Sequence, residues 1–249
     1  MDELIRFAEG GFAFLKGAFP YSQGVKALPG FAIDRARFTQ SVPVADGFRR
    51  IAEYLAALGR PKTALCACEL RSPRPFSFEG FAEFNRGYVA VLEEWNLFRD
   101  EANPVARSNV APEVDAPAEP CFYAFSYTVP SDDAGQSFVV AGSGEWPEGG
   151  RFPEDIAARD DRSESGMRSK ARWVLDTMER RMRGLGGLTW KDATAVQVYT
   201  ALQFPIADVA RRAGASLVWH YSRPPIEGLD FEMDVRGVGV ERLLPAWSQ

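Results

Sequence analysis

The sequence predicts an α/β chain of two similar halves, and three features carry that reading. The first is a weak internal repeat in which an amphipathic helix, a Gly-bearing turn and a strand follow one another twice. The second is a change of hydrophobic period, from helical spacing in Phe48, Ile51, Tyr54, Leu55 and Leu58 to alternation in the segments that follow. The third is the Pro- and acid-rich stretch PEVDAPAEP (112–120), which sets a boundary near residue 118 and so domains 1–118 and 119–249.

Taken in order, DGFRRIAEYLAALG (46–59) reads as a helix ending at Gly59, and TALCACEL (63–70) as the strand after it. A second helix, FEGFAEFNRGYVAVLEEW (78–95), follows the breaker-rich SPRPFS. Strand-like ARSNVAP (106–112) and FYAFSYTV (122–129) come next. The latter fits either half, because a hairpin with SFVVAGSGEW (137–146) is equally consistent. The second half continues with the helix SGMRSKARWVLDTMERRMRGLG (165–186), where Trp173, Val174, Met178 and Met182 supply the apolar stripe. Then come the strand DATAVQVYTAL (192–202), a short helical stretch at 204–213, SLVWHY (216–221) and LDFEMDVRGVGVE (229–241).

Composition excludes several classes of function. A chain of 249 residues, 46% hydrophobic, buries enough apolar surface to need no disulfide staples. Its three cysteines, an odd count, fit a reducing, cytoplasmic setting. Cys66 and Cys68, at i and i+2, read as small core residues on one face of a strand rather than as metal ligands. The start MDELIRFAEGG lacks a signal peptide's apolar stretch, and no run approaches the roughly 18 apolar residues of a membrane span. A net charge of −5 with both signs interspersed argues against nucleic acid. The single histidine, His220, lies in a strand-like segment and reads as structural; a His-based zinc site cannot be assembled. GSGEW lacks the spacing of a dinucleotide fingerprint. Neither a metal nor a cofactor is expected.

Several motifs, in order, resemble the RidA (YjgF-like) superfamily of imine deaminases. FPYSQGV (19–25) is similar to its opening strand, FAEFNRGYVAVLEEW (81–95) to its Asn- and Tyr-bearing helix, and EANPVARSNVAP (101–112) to the segment where an Arg after a Pro opens a strand. VAGSGEWPEG (140–149) resembles the family's Ser-Gly strand end, and PPIEGLDFEMDV (224–235) its closing strand. The resemblance implies two chorismate-mutase-like barrels in tandem, mixed sheets each packed with two helices, in a homotrimer or higher homo-oligomer. It further implies an arginine that grips a substrate carboxylate and an acid on the last strand that handles water. Carried over, these are Arg107 and Asp234, with Asn85, Tyr21 and Ser143 beside them.

The second half has Gly214-Ala215-Ser216 where that arginine would stand, and FYAFSYTV has no acid. Each half thus keeps a different part of the constellation, which fits one composite site between Arg107 and Asp234. Alternation puts Glu232 and Asp234 on one face of the closing strand, opposite Phe231, Met233 and Val235. The resemblance selects Asp234; Glu145, near Ser143, is the next acid in line.

Hydrolysing an enamine through its imine needs a guanidinium fork to hold the neighbouring carboxylate, and one carboxylic acid to move protons. The expected partner is therefore a small carboxylate-bearing substrate. Two-domain length makes 2-aminomuconate-type deaminases of aromatic-compound degradation the nearest analogue. A chorismatase-like enol-ether hydrolase and a non-catalytic metabolite-binding protein are the alternatives.

Overall fold

The computed structural model describes residues 3–132, 136–214 and 216–245. The chain opens with short strands β1 (Leu4–Phe7), β2 (Phe12–Leu15) and β3 (Gly24–Ala27), then the long β4 (Phe31–Pro43). Helix α1 (Val44–Ala57), β5 (Leu65–Arg71), helix α2 (Phe78–Glu94), β6 (Ala106–Pro112) and β7 (Cys121–Pro130) follow. Beyond them come β8 (Phe138–Gly144), helix α3 (Glu164–Gly184), β9 (Ala195–Tyr199) and helix α4 (Ile206–Ala213). The chain closes with β10 (Leu217–His220), β11 (Ser222–Arg223), β12 (Glu232–Gly237) and β13 (Glu241–Leu244). Among the described residues no helix is long and apolar enough to cross a membrane.

The strands form two mixed sheets, one ordered β1-β2-β3-β8-β12-β9-β10 and the other β11-β6-β5-β7-β4-β13. Helices α1 and α2 cover the outside of the six-stranded sheet, where Phe48, Ile51 and Leu55 meet Tyr88, Leu92 and Phe122. A side chain on Gly47 would collide with the Phe122 ring, so that glycine lets α1 lie close on β7. Helices α3 and α4 cover the seven-stranded sheet through Val174, Met178, Met182 and Val209. The inner faces of the two sheets meet over Phe12, Phe14, Val25, Cys66, Ala106 and Ala141. Each sheet is thus covered on both faces, as strands buried at every position, such as β5 and β12, require.

This arrangement corrects the expectation of two separate tandem barrels. Strands β1–β3, from the first half, extend the second half's sheet by pairing β3 with β8. In return β13 adds in parallel to β4, and β11 pairs with β6. Trading strands in this way covers sheet edges that would otherwise expose unpaired backbone groups. A break at 118 also falls just before β7, which lies between β5 and β4 inside the first half's sheet. Cys66 and Cys68 are both buried, but they enter different clusters on opposite sides of β5 rather than sharing a face. A register shift between Leu65 and Ala67 turns the strand over there.

Residues 1–118 expressed alone would lack β7 and β13, leaving β4 without either sheet neighbour. They are expected to give no cooperative thermal transition by circular dichroism, whereas a sharp transition would show that the first half folds independently.

Candidate active site

A concavity opens where both sheets, α2 and α3 meet. It is a cavity of about 200 Å³ whose wall includes Tyr21, Asn85, Arg107, Ser143, Arg181 and Glu232. Both halves of the chain therefore contribute to it. Its floor is polar, and its rim is apolar, with Phe78, Phe81, Trp146, Ile226 and Leu229. Phe78 stacks on Phe152 at 4.8 Å, and the backbone of Phe76 pairs with Pro225 and Glu227, so the rim itself joins the halves.

Arg107 enters from the start of β6. It is only 2% exposed, and its Nη2 donates to Asn85 Oδ1 at 2.6 Å. Asn85 lies in the middle of α2, whose N-terminus is capped by Ser77 accepting from the Gly80 amide. The guanidinium lies 4.7 Å from the Tyr88 ring, 5.2 Å from Tyr21 and 5.4 Å from Phe81. These faces partly compensate the charge. Nη1 has no partner, and Arg107 makes no ion pair among the described residues. Burial lowers its pKa, opposed by the neighbouring tyrosines. A desolvated cation with a spare N–H on a cavity wall is matched by an anionic ligand.

Glu232 enters from the other sheet and is 3% exposed. Burial first, then the nearby Asp234 and Glu145, push its pKa well above the usual carboxylate range, with Arg71 and Arg181 opposing. The neighbouring backbone is shaped around it. Between Met233 and Val235 the pairing of β12 with β8 slips, one residue (Asp234) facing two, so β8 bulges at Ala141 and Gly142. A side chain on Gly142 would collide with the Glu232 carboxyl, so the glycine is what admits it. Arg181, from α3, donates through Nη1 to the carbonyls of Ala141 (2.9 Å) and Gly142 (3.3 Å), the two residues at the bulge.

Of the residues selected from sequence, Arg107, Asn85, Tyr21 and Ser143 line the cavity, while Asp234 and Glu145 do not. Tyr21 lies beside Arg107, and burial raises its hydroxyl to about 12, so it stays protonated. Ser143 Oγ donates to its neighbour Gly144's carbonyl at 3.1 Å. Asp234 lies two residues, roughly 7 Å, farther along the strand. Its oxygens accept from Gln197 Nε2 (2.8 Å) and Tyr199 Oη (2.9 Å). Of the two acids on the closing strand, the one on the cavity wall is therefore Glu232, the other member of the face that alternation identified. Glu145 is fully buried and accepts from the amides of Asp230 (2.7 Å) and Phe231 (3.0 Å), with Lys170 at 3.3 Å. It ties β8 to the approach of β12, a bracing role. His220 bonds Gln197 at 3.0 Å and stacks on Tyr199 at 4.9 Å. Burial, then Arg71, lowers its pKa to about 4, so it is neutral at neutral pH.

Sequence reasoning missed Arg181, Asn109 and Glu148. Arg181 stands in a helix dense with arginines, where nothing singles it out. Asn109 lines the cavity two residues after Arg107 on the same strand face, a spacing that could have found it. Among the described residues no group of three or more His, Cys, Asp or Glu side chains could hold a metal ion.

A family model described as 2-aminomuconate deaminase CnbZ matches residues 4–242. A 2-amino-5-chloromuconate deaminase of Comamonas testosteroni is 44% identical over 253 residues, covering 98% of this chain and all of the relative. Among solved structures, a cyanuric acid hydrolase from A. caulinodans superposes with a TM-score of 0.42 at 14% identity, over 83% of this chain and 67% of that one. That likeness is too remote to bear on the site.

Because the bulge glycine makes room for the acid, Gly142→Ala should displace the Glu232 carboxyl and cut turnover by roughly tenfold or more while the protein stays folded. Turnover within twofold of the parent would show that Glu232 needs no such space.

Proposed function

The chain belongs to the 2-aminomuconate deaminase CnbZ family, and from that premise we propose that it hydrolyses the enamine of a 2-aminomuconate-type substrate in aromatic-compound degradation, with Arg107 and Glu232 as its principal groups. The observation that carries the assignment of residues is a buried, unpaired guanidinium edge on one wall of the cavity and, on another, a buried carboxyl whose pKa burial pushes well above the usual carboxylate range. Arg107, steadied by Asn85, takes the carboxylate beside the amino-bearing carbon, and the apolar rim covers the diene. Glu232 gives its proton to the enamine carbon and so forms the iminium. As a carboxylate it then takes a proton from the water that attacks the iminium carbon. It passes that proton to nitrogen and recovers one from the new hydroxyl as the C–N bond breaks. One water is consumed, one ammonia leaves, the carbonyl product forms, and Glu232 ends protonated. Tyr21 and Ser143 position the substrate.

The same reading extends to a cytoplasmic homo-oligomer, a trimer first. Three buried free cysteines fit a reducing compartment. Strand β10 presents half-exposed Val218 and Trp219 at an open sheet edge, as a self-associating surface would. A monomer by light scattering at micromolar concentration would remove that part of the proposal.

Glu232→Gln matches the protonated acid in shape but cannot relay a proton. It should lower kcat about 10²-fold or more, measured as ammonia released from 2-aminomuconate. Near-normal turnover would clear Glu232 of the role, and pyruvate release from chorismate instead would indicate an enol-ether hydrolase. Arg107→Lys keeps the charge but loses the fork, and should reduce kcat/KM by about 10- to 100-fold.

The raised pKa makes a further prediction. A carboxyl whose pKa is higher folded than unfolded stabilises fully below the usual carboxylate range, and that stability is lost as pH rises through the folded value. Glu232→Gln has no proton to lose, so its melting temperature should gain on the parent's as pH rises above the usual carboxylate range. A pH-independent difference would mean that Glu232 is ionised when folded.

A further inference from the structure

Besides the groups already assigned, the cavity wall carries a second buried guanidinium with its own acidic partner. Arg181 is 1% exposed; Nη1 is committed to the bulge carbonyls, Nε has no partner, and Nη2 donates to Glu148 Oε1 at 2.7 Å. Glu148 lies in the loop after β8, its side chain is 21% exposed, and it also lines the cavity. Asn109 adds another unpartnered buried amide, since its Oδ1 accepts from Ser72 while Nδ2 bonds nothing. The cavity therefore holds two arginines on different elements, one without a carboxylate and one whose carboxylate comes from a partly exposed loop.

Resting on the deaminase reading, we propose that Arg181 is the receptor for a second carboxylate at the far end of the substrate, and that the Glu148 carboxylate occupies its place until the substrate displaces it. The cavity then selects unsaturated dicarboxylates over monocarboxylates of the same carbon skeleton. Arg107 takes the carboxylate next to the reacting carbon. Arg181, with its free Nε and the Nη2 that Glu148 gives up, takes the distal one, and the chain between them lies under Phe81, Trp146 and Leu229. The released Glu148 needs only solvent, which its position already gives it. Arg181 is thus a specificity residue, and Glu148 an internal competitor for it.

The test compares two unreactive probes that differ only at the distal end: muconate, with a carboxylate there, and sorbate, with a methyl group. Binding of each to the full-length protein is measured calorimetrically and as competitive inhibition. Muconate should bind at least about tenfold more tightly than sorbate, the ratio for one charge-assisted contact. Glu148→Gln removes the competing charge from a partly exposed loop at little risk to folding, and should raise the muconate-to-sorbate ratio by about threefold or more. Arg181→Lys should collapse the ratio toward one. Equal binding of the two probes by the parent protein, or a ratio untouched by both substitutions, would overturn the proposal. Loss of the deaminase reading is a separate result, since the probes could still discriminate in a protein that releases no ammonia.

Discussion

A guanidinium withdrawn from water needs compensation, and Arg107 receives it from one amide oxygen and a set of aromatic faces, with no carboxylate paired to it among the described residues. Cation–π contacts of this kind recover about 0.5–2 kcal/mol each, short of the several that desolvating a charge costs. The deficit is tolerable because the cation borders a cavity rather than a dry core. Around this one constraint the neighbouring parts fall into place: Asn85 buried in α2, Tyr21 and Tyr88 flanking the charge, and α2 capped and held against β6. The acid on the opposite wall obeys the same physics with the other sign. Burial, with Asp234 and Glu145 nearby, shifts Glu232 toward its protonated form, which is what a proton donor requires.

The exchange of strands between the halves explains why the site is composite. Arg107 and Asn85 belong to the six-stranded layer, whereas Glu232, Ser143 and Arg181 belong to the seven-stranded layer and its helix. The cavity exists only where the layers meet. The bulge in β8 performs two tasks there. It frees carbonyls that fix Arg181, and it places a glycine where the Glu232 carboxyl must lie.

Much of this was legible in the sequence wherever a short-range signal existed. The helix and strand after each Gly turn follow from hydrophobic period, and Asn85 stood out as an amide inside an apolar helix. The face shared by Glu232 and Asp234 follows from alternation, but not which of the two reaches the cavity. That depends on depth along the strand and on Gln197 and Tyr199 claiming Asp234, both products of sheet pairing. Likewise nothing in residues 31–43 points to the sheet neighbours of β4, so the strand exchange was hidden and two separate barrels were expected instead. Arg181 had no local mark at all, since its role comes from a bulge more than thirty residues away.

The claim on which the account turns is that one cavity at the seam of the two sheets holds the substrate between Arg107 and Glu232. A crystal structure of the protein with muconate bound tests it most directly. The account predicts one carboxylate on Arg107 Nη1 within hydrogen-bond distance and the Glu232 carboxyl facing the adjacent carbon. Ligand bound elsewhere, or beside Asp234 with Arg107 unaltered, would contradict it.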